Sequence, residues 1–185
     1  MTFDELNTKL GGGEKQDDWR QASGGGWLHK SAKVENESLI KDNAIVSGDA
    51  QVSGDAWVYG NALVSGDARV FGDAQVYGNA QVYDNARVYG DARVSGNARV
   101  YGNARVSGNA QVYGNAWEKS PLFIIGSRYS LTNCKHGHIQ IGCHCHTFAW
   151  WQSKEAEALA KEQGFTPEEV EEYRAYIELF VKVGK

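Results

Sequence analysis

Two groups of residues in this chain carry side chains suited to chemistry. The first is the run "NCKHGHIQIGCHCH", residues 133–146, which holds all three cysteines and four of the five histidines. Cys134, His136, His138, Cys143, Cys145 and His146 are all zinc-ligand types, and Cys134, His136, Cys143 and His146 make a candidate four-ligand metal site. The run lacks the paired C-x-x-C spacing of a zinc ribbon. Read as strands, alternation places Ile139, Ile141, Cys143 and Cys145 on one side as buried core residues. His138, Gln140, His144 and His146 then face the other way. A Cys–His nucleophile is the third reading of the same run.

The second group is Arg69, Arg87 and Arg105, spaced 18 residues apart, with Phe71 and Tyr89 two places after the first two. Like charges stacked about 5 Å apart repel by about 1 kcal/mol even in water. Either acids such as Asp67 neutralise them or an anionic ligand does. Arginine beside Phe or Tyr suits a phosphate-bearing aromatic ligand such as a nucleotide. Arg69, Arg87, Arg105, Phe71 and Tyr89 are therefore the candidate ligand-binding residues. No catalytic residue is assigned.

The spacing of 18 comes from the elements that position these side chains. From Asn43 to Ala116 the phrase Asn/Asp-Ala-x-Val-Tyr/Ser-Gly recurs every six residues without insertion, and weaker copies precede it as "SAKVEN" and "ESLIKD". A six-residue period with glycine in each unit does not fit a helix, whose faces recur every 3.6 residues. It fits a short strand followed by a tight corner. Alternation along each strand points Ala and Val inward and the intervening Gln, Arg, Trp or Leu outward. Glycine, and less readily Asn or Asp, accepts the positive φ of a corner. Three strands per coil make a triangular parallel solenoid with a packed interior.

In that register positions 18 apart stack. Asn43, Asn61, Asn79, Asn97 and Asn115 form an asparagine ladder. Three outward faces carry Lys33, Gln51 and the three arginines; Leu39, Trp57, Gln75, Arg93 and Gln111; and Trp27, Ile45, Leu63, Gln81, Arg99 and Trp117. Exposed Trp57, Tyr59, Tyr77, Ile45 and Leu63 predict a homotrimer that buries one repeated face. Asp84, in "VYDNA", replaces the corner glycine found at every other corner from Gly48 to Gly114.

The repeat resembles the hexapeptide-repeat, left-handed β-helix proteins on "V-Y-G-N-A-R", with Val88 or Val100 as the aliphatic residue and Ala as the small one. Glycine two places after Val, with Tyr or Ser in the usual small slot, departs from that pattern. Left-handedness is implied by the resemblance alone, since crossover sterics favour the right hand. With "IQIGCHCHTFAWW" and a helical tail, the chain is also similar to bacterial and phage hexapeptide-repeat proteins often labelled transferases. For a phage relative, sequestering a host signal is one purpose the resemblance implies. Hexapeptide-repeat acyltransferases use a histidine base near the subunit interface, whereas the hexads from Ser31 to Ser120 contain no histidine.

The expected fold class is therefore mainly β: a left-handed parallel β-helix with a C-terminal strand segment and two short α-helices. Residues 1–26 form a polar arm or cap, mostly loop apart from a short helix in "FDELNTKL". Residues 27–120 form the β-helix, residues 121–152 the terminal strands, and residues 153–185 the helices. Thr166, Pro167 and Glu169 start the last helix with a capping box, and Gly164 ends the one before. The stripe Val170, Tyr173, Ile177, Phe180 predicts docking against the β-helix.

A net charge of −4 excludes a globally basic nucleic-acid binder. No run of about 18 apolar residues predicts a membrane span. The acidic start "MTFDELNTKL" is unlike a signal peptide, and three clustered cysteines are unlike a disulfide framework, so the expected compartment is cytoplasmic. The expected function is a non-catalytic homotrimeric binding protein holding an anionic, nucleotide-like ligand between subunits, without a cofactor. A small-molecule acyltransferase and a structural spacer are the alternatives.

Overall fold

The fold follows from how the hexads stack. The computed structural model describes residues 1–114, 116–117 and 120–184. The hexads form short strands that pair in parallel at an offset of 18. Leu63 and Val64 pair with Gln81 and Val82, and these with Arg99 and Val100. Three such sheets enclose one interior. Every alanine of the phrase from Ala44 to Ala110 and every valine from Val46 to Val112 is buried. Backbone amides bond from coil to coil, as from Gln51 N–H to the Ala68 carbonyl at 2.9 Å. The result is a parallel β-solenoid with a packed Ala/Val core.

The corners repeat as faithfully as the strands. Each Asn amide bonds the next along the axis, Asn43 to Asn61 at 3.3 Å, Asn61 to Asn79 at 3.4 Å and Asn79 to Asn97 at 3.2 Å. Asn115 lies outside the described residues. The register slips at the end: Ala116, not Trp117, pairs with Arg99. The hexad phrase stops at "NAWEKS", so no further glycine corner holds the 18-residue spacing.

Both ends are closed by non-repetitive segments. The N-terminal segment is a folded cap rather than a mostly loose arm. Helix α1 (Phe3–Lys9) begins with a capping box between Thr2 and Glu5. Strand Trp19–Gln21 runs antiparallel to Trp27–His29. Leu6, Trp19, Trp27 and Ile45 form a buried cluster, with Leu63 packed beside it. Ile45 is thus fully buried by the chain's own N-terminus, and Leu63 is half-buried beside it.

At the other end four antiparallel strands, Phe123–Ile125, Ser130–Lys135, His138–Ile141 and His144–Thr147, form a separate sheet. One face meets the last coils: Phe123 lies over Gly108, and Gln140 Nε2 donates to Gln111 Oε1 at 3.2 Å. The other face packs Leu131, Ile139 and Ile141 against Tyr173, Ile177 and Phe180. Those last three belong to α4 (Pro167–Val183), which follows α2 (Phe148–Trp151) and α3 (Lys154–Glu162). The short α2 thus lies at the end of the terminal sheet, and residues 153–185 hold the two expected helices, α3 and the 17-residue α4. Its apolar stripe is buried on the terminal sheet, not on the solenoid, because the sheet already covers the last coil. The capping box of Thr166 and Glu169 forms as the sequence predicts.

Asp84 adopts φ 57°, and its carboxylate accepts a bond from Gly102 N–H at 3.1 Å. Asp42, at a corner on a different edge of the solenoid, does the same, with φ 59° and Gly60 N–H at 3.0 Å. Each aspartate offsets its backbone strain with a bond to the next coil. Asp84→Gly therefore removes a cost and a gain of similar size, and its stability is expected within about 1 kcal/mol of the parent. Asp84→Ala keeps the strain and loses the bond, so it is expected to lose about 1–2 kcal/mol. Urea unfolding of both variants checks this, and equal midpoints for Ala and Gly would overturn it.

Candidate functional site

The Arg–aromatic face is built by one sheet of the solenoid. Its strands stack Lys33, Gln51, Arg69, Arg87 and Arg105 in a single outward column. Phe71 and Tyr89 pair in the next outward column. Their rings lie 4.9 Å apart with planes 2° from parallel. All five candidate residues are thus brought together. Arg69 and Arg105 are exposed, and Arg87, Phe71 and Tyr89 are half-buried.

Among the described residues, no carboxylate forms an ion pair with any of the three arginines. Asp67 thus makes no ion pair with them. The aromatic column runs Ser53, Phe71, Tyr89, Ser107. The rings are too close together for a third ring to enter between them. Their outer faces end over the short side chains of Ser53 and Ser107. Charge-assisted donors beside open ring faces can hold an anion and an aromatic group together.

The Cys/His run is placed differently. His136 sits in the turn before strand His138–Ile141, and Cys143 in the turn after it. The two candidate ligands therefore lie at opposite ends of that strand. Among the described residues no group of three or more His, Cys, Asp or Glu could hold a metal ion. The turn at Gly142–Cys143 also resets the alternation. Ile139 pairs with His146, Ile141 with His144, and Gln140 with Cys145. His144 and His146 thus share the face of Ile139 and Ile141, while Cys145 lies on the solenoid side. Cys143 is exposed rather than a core cysteine. Reading one continuous strand through this run misses the hairpin, which Gly142 at φ 57° permits.

His146 is held by rings. It stacks on Trp150 at 3.6 Å and meets Trp151 edge-on at 5.6 Å. Burial, then His144 and His138, hold its pKa below the usual histidine value. A cavity of about 360 Å³ opens nearby, walled by Tyr129, Ile141, Trp151, Phe165 and Ile177. Its rim cation Arg174 is already paired with Glu157 at 2.7 Å and Glu171 at 3.3 Å. That cavity suits an apolar group, not an anion.

The lowered His146 pKa fixes a pH dependence. The folded chain binds fewer protons at this site than the unfolded chain, whose histidines titrate near about 6.5. The stabilisation is complete above about pH 6.5 and is lost as pH falls through the lowered folded value. Tm is expected to fall between about pH 7.5 and about pH 5.5, and less steeply in His146→Phe, which keeps the ring stack. Parallel Tm–pH curves for the two proteins would refute it.

The family model described as the YdcK beta solenoid repeat matches residues 50–66, 56–72, 62–78, 80–96, 92–108 and 98–114. No curated protein and no solved structure gives a significant match. Among the described residues no helix is long and apolar enough to cross a membrane. The matched repeats are the coils that carry Arg69, Phe71, Arg87, Tyr89 and Arg105, and with the parallel 18-residue register they make this chain a repeat β-solenoid protein.

Proposed function

We propose that the chain is a non-catalytic binding protein that takes an anionic aromatic ligand, of the nucleotide class, on its Arg69–Arg87–Arg105 face. The observation that carries this reading is the column of three arginines without ion-pair partners beside the coplanar Phe71–Tyr89 pair. An unpaired cation column raises the local potential on a chain that is acidic overall. Phosphate oxygens on Arg87 and a neighbouring arginine would discharge it. A base would stack on the ring face over Ser53 or Ser107.

The same reading includes self-association as a homotrimer. With Ile45 buried and Leu63 half-buried against the N-terminal segment, the face of Trp57, Tyr59 and Tyr77 supports it best. Trp57 is 39% exposed and carries Lys41 over its ring, and Tyr59 stacks on Tyr77 at 4.9 Å. A three-fold assembly through this face leaves the arginine face near the junction between subunits. Finer kinship with hexapeptide-repeat proteins, including those of phages, belongs to the same proposal.

Calorimetric titration with nucleotides, nucleotide sugars, coenzyme A and short oligonucleotides tests the ligand. Arg87→Ala is expected to weaken binding by about 1.5–3 kcal/mol and to leave folding nearly unchanged. Arg174→Ala, on the helical module, is the control and should bind normally. Absence of binding by every ligand class would reject the reading. Light scattering of a micromolar solution tests assembly separately, and a monomer there would remove the trimer while leaving the ligand site.

A further inference from the structure

Cys134 and Cys145 are brought together by two irregularities in the terminal sheet. Pairing between the strands Ser130–Lys135 and His138–Ile141 shifts register between Asn133 and Lys135, and Cys134 falls in that shift. The hairpin at Gly142–Cys143 puts Cys145 opposite Gln140, on the face towards the solenoid. The two Sγ atoms lie 2.8 Å apart although their strands are separated by a third. A disulfide bond is about 2.05 Å long, so closure asks for a movement of under about 1 Å. The Tyr113 hydroxyl, from the last coil, bonds both thiols. Cys134 is fully buried, Cys145 half-buried and Cys143 exposed.

We propose that Cys134 and Cys145 form a reversible disulfide, made by exchange with a low-molecular-weight disulfide such as oxidised glutathione. Metal capture does not compete, since no third ligand joins the pair among the described residues.

The roles of the two thiols follow from access. Burial pushes the Cys134 thiol up to about 12, so it stays protonated and does not start the exchange. Cys145 is within reach of a small oxidant. Its thiolate attacks one sulfur of the oxidant, the oxidant's S–S bond breaks, and one small thiol leaves with a proton from solvent. Cys134 then attacks Cys145 Sγ. The mixed disulfide breaks, and the second small thiol departs with the Cys134 proton. Two protein thiols and one small disulfide become one protein disulfide and two small thiols, with two electrons passed to the oxidant. The product ties the second strand of the terminal sheet to the fourth, beside Tyr113. It thereby fixes the sheet that stands between the solenoid and the helices.

The test uses the full chain, reduced and then equilibrated in glutathione buffers of rising oxidised fraction. Samples are quenched in acid, unfolded, alkylated and mapped by mass spectrometry. The expected product is monomeric, lacks two hydrogens, and links the Cys134 peptide to the Cys145 peptide with Cys143 alkylated. Cys143→Ser should form the same link with the same midpoint. Cys145→Ser should leave Cys134 fully alkylated. A Cys143–Cys145 link, a link between chains, or alkylation of all three cysteines throughout the series would each overturn the proposal. None of these outcomes bears on the arginine face, so the two readings fail separately.

Discussion

The solenoid rests on one steric constraint, the contact between corner backbones of successive coils. A Cβ added at Gly66 would lie 2.9 Å from the Asp84 backbone nitrogen, and one at Gly48 would lie 2.9 Å from that of Gly66. Gly66 also has φ 67°, which L side chains adopt only with strain. The corner therefore demands a residue that is small, turned to positive φ, or both. Once each hexad must end at such a corner, strand length is fixed, and so is the pleat. Alanine fits beside the corner and valine fills the middle. The offset of 18 between pairing partners follows from three corners per coil.

That offset turns single substitutions into columns, and a column magnifies whatever it repeats. A stacked amide donates on one side and accepts on the other, so the asparagine ladder satisfies itself. Stacked aromatic rings also gain, and each of the three faces carries such a pair: Phe71–Tyr89, Tyr59–Tyr77 and Tyr83–Tyr101. A guanidinium has donors and no acceptor. Its column cannot satisfy itself and gathers repulsion with each coil. Of the ladders on the surface, the arginine ladder is the one that the backbone geometry leaves unfinished, which is why it carries the functional reading.

What was legible in the sequence was what repeats or what is local. The Ala/Val interior, the offset, the asparagine ladder and the Thr166 capping box depend on spacing within a few residues or on one period applied throughout. The misreadings lie where distant or irregular segments decide. Nothing near Ile45 shows that Leu6 and Trp19 will cover it. Strand alternation carried unbroken from Ile139 to Cys145 overlooks Gly142, whose positive φ lets the chain reverse there. The register shift at Cys134 has no signature in residue types.

A repeat that stacks so regularly also makes its ends a problem. Each terminal coil exposes unpaired strand edges that would template further stacking with another chain. Continuation has to be stopped by residues that break the repeat. At the N-terminus an antiparallel strand, Trp19–Gln21, joins the first coil and reverses its polarity. At the C-terminus Phe123 seats over the corner at Gly108, and Tyr113 and Gln111 meet a sheet of different orientation. Tyr113 occupies a slot that is merely an outward ring in earlier coils. At the last coil the same outward slot is covered by the terminal sheet, against Cys134 and Cys145. The residue type does not change; its position at the end of the stack does. The division of labour in this molecule follows from that: the body presents the same groups at fixed intervals, and chemistry that needs unlike groups in contact is confined to where the repeat stops.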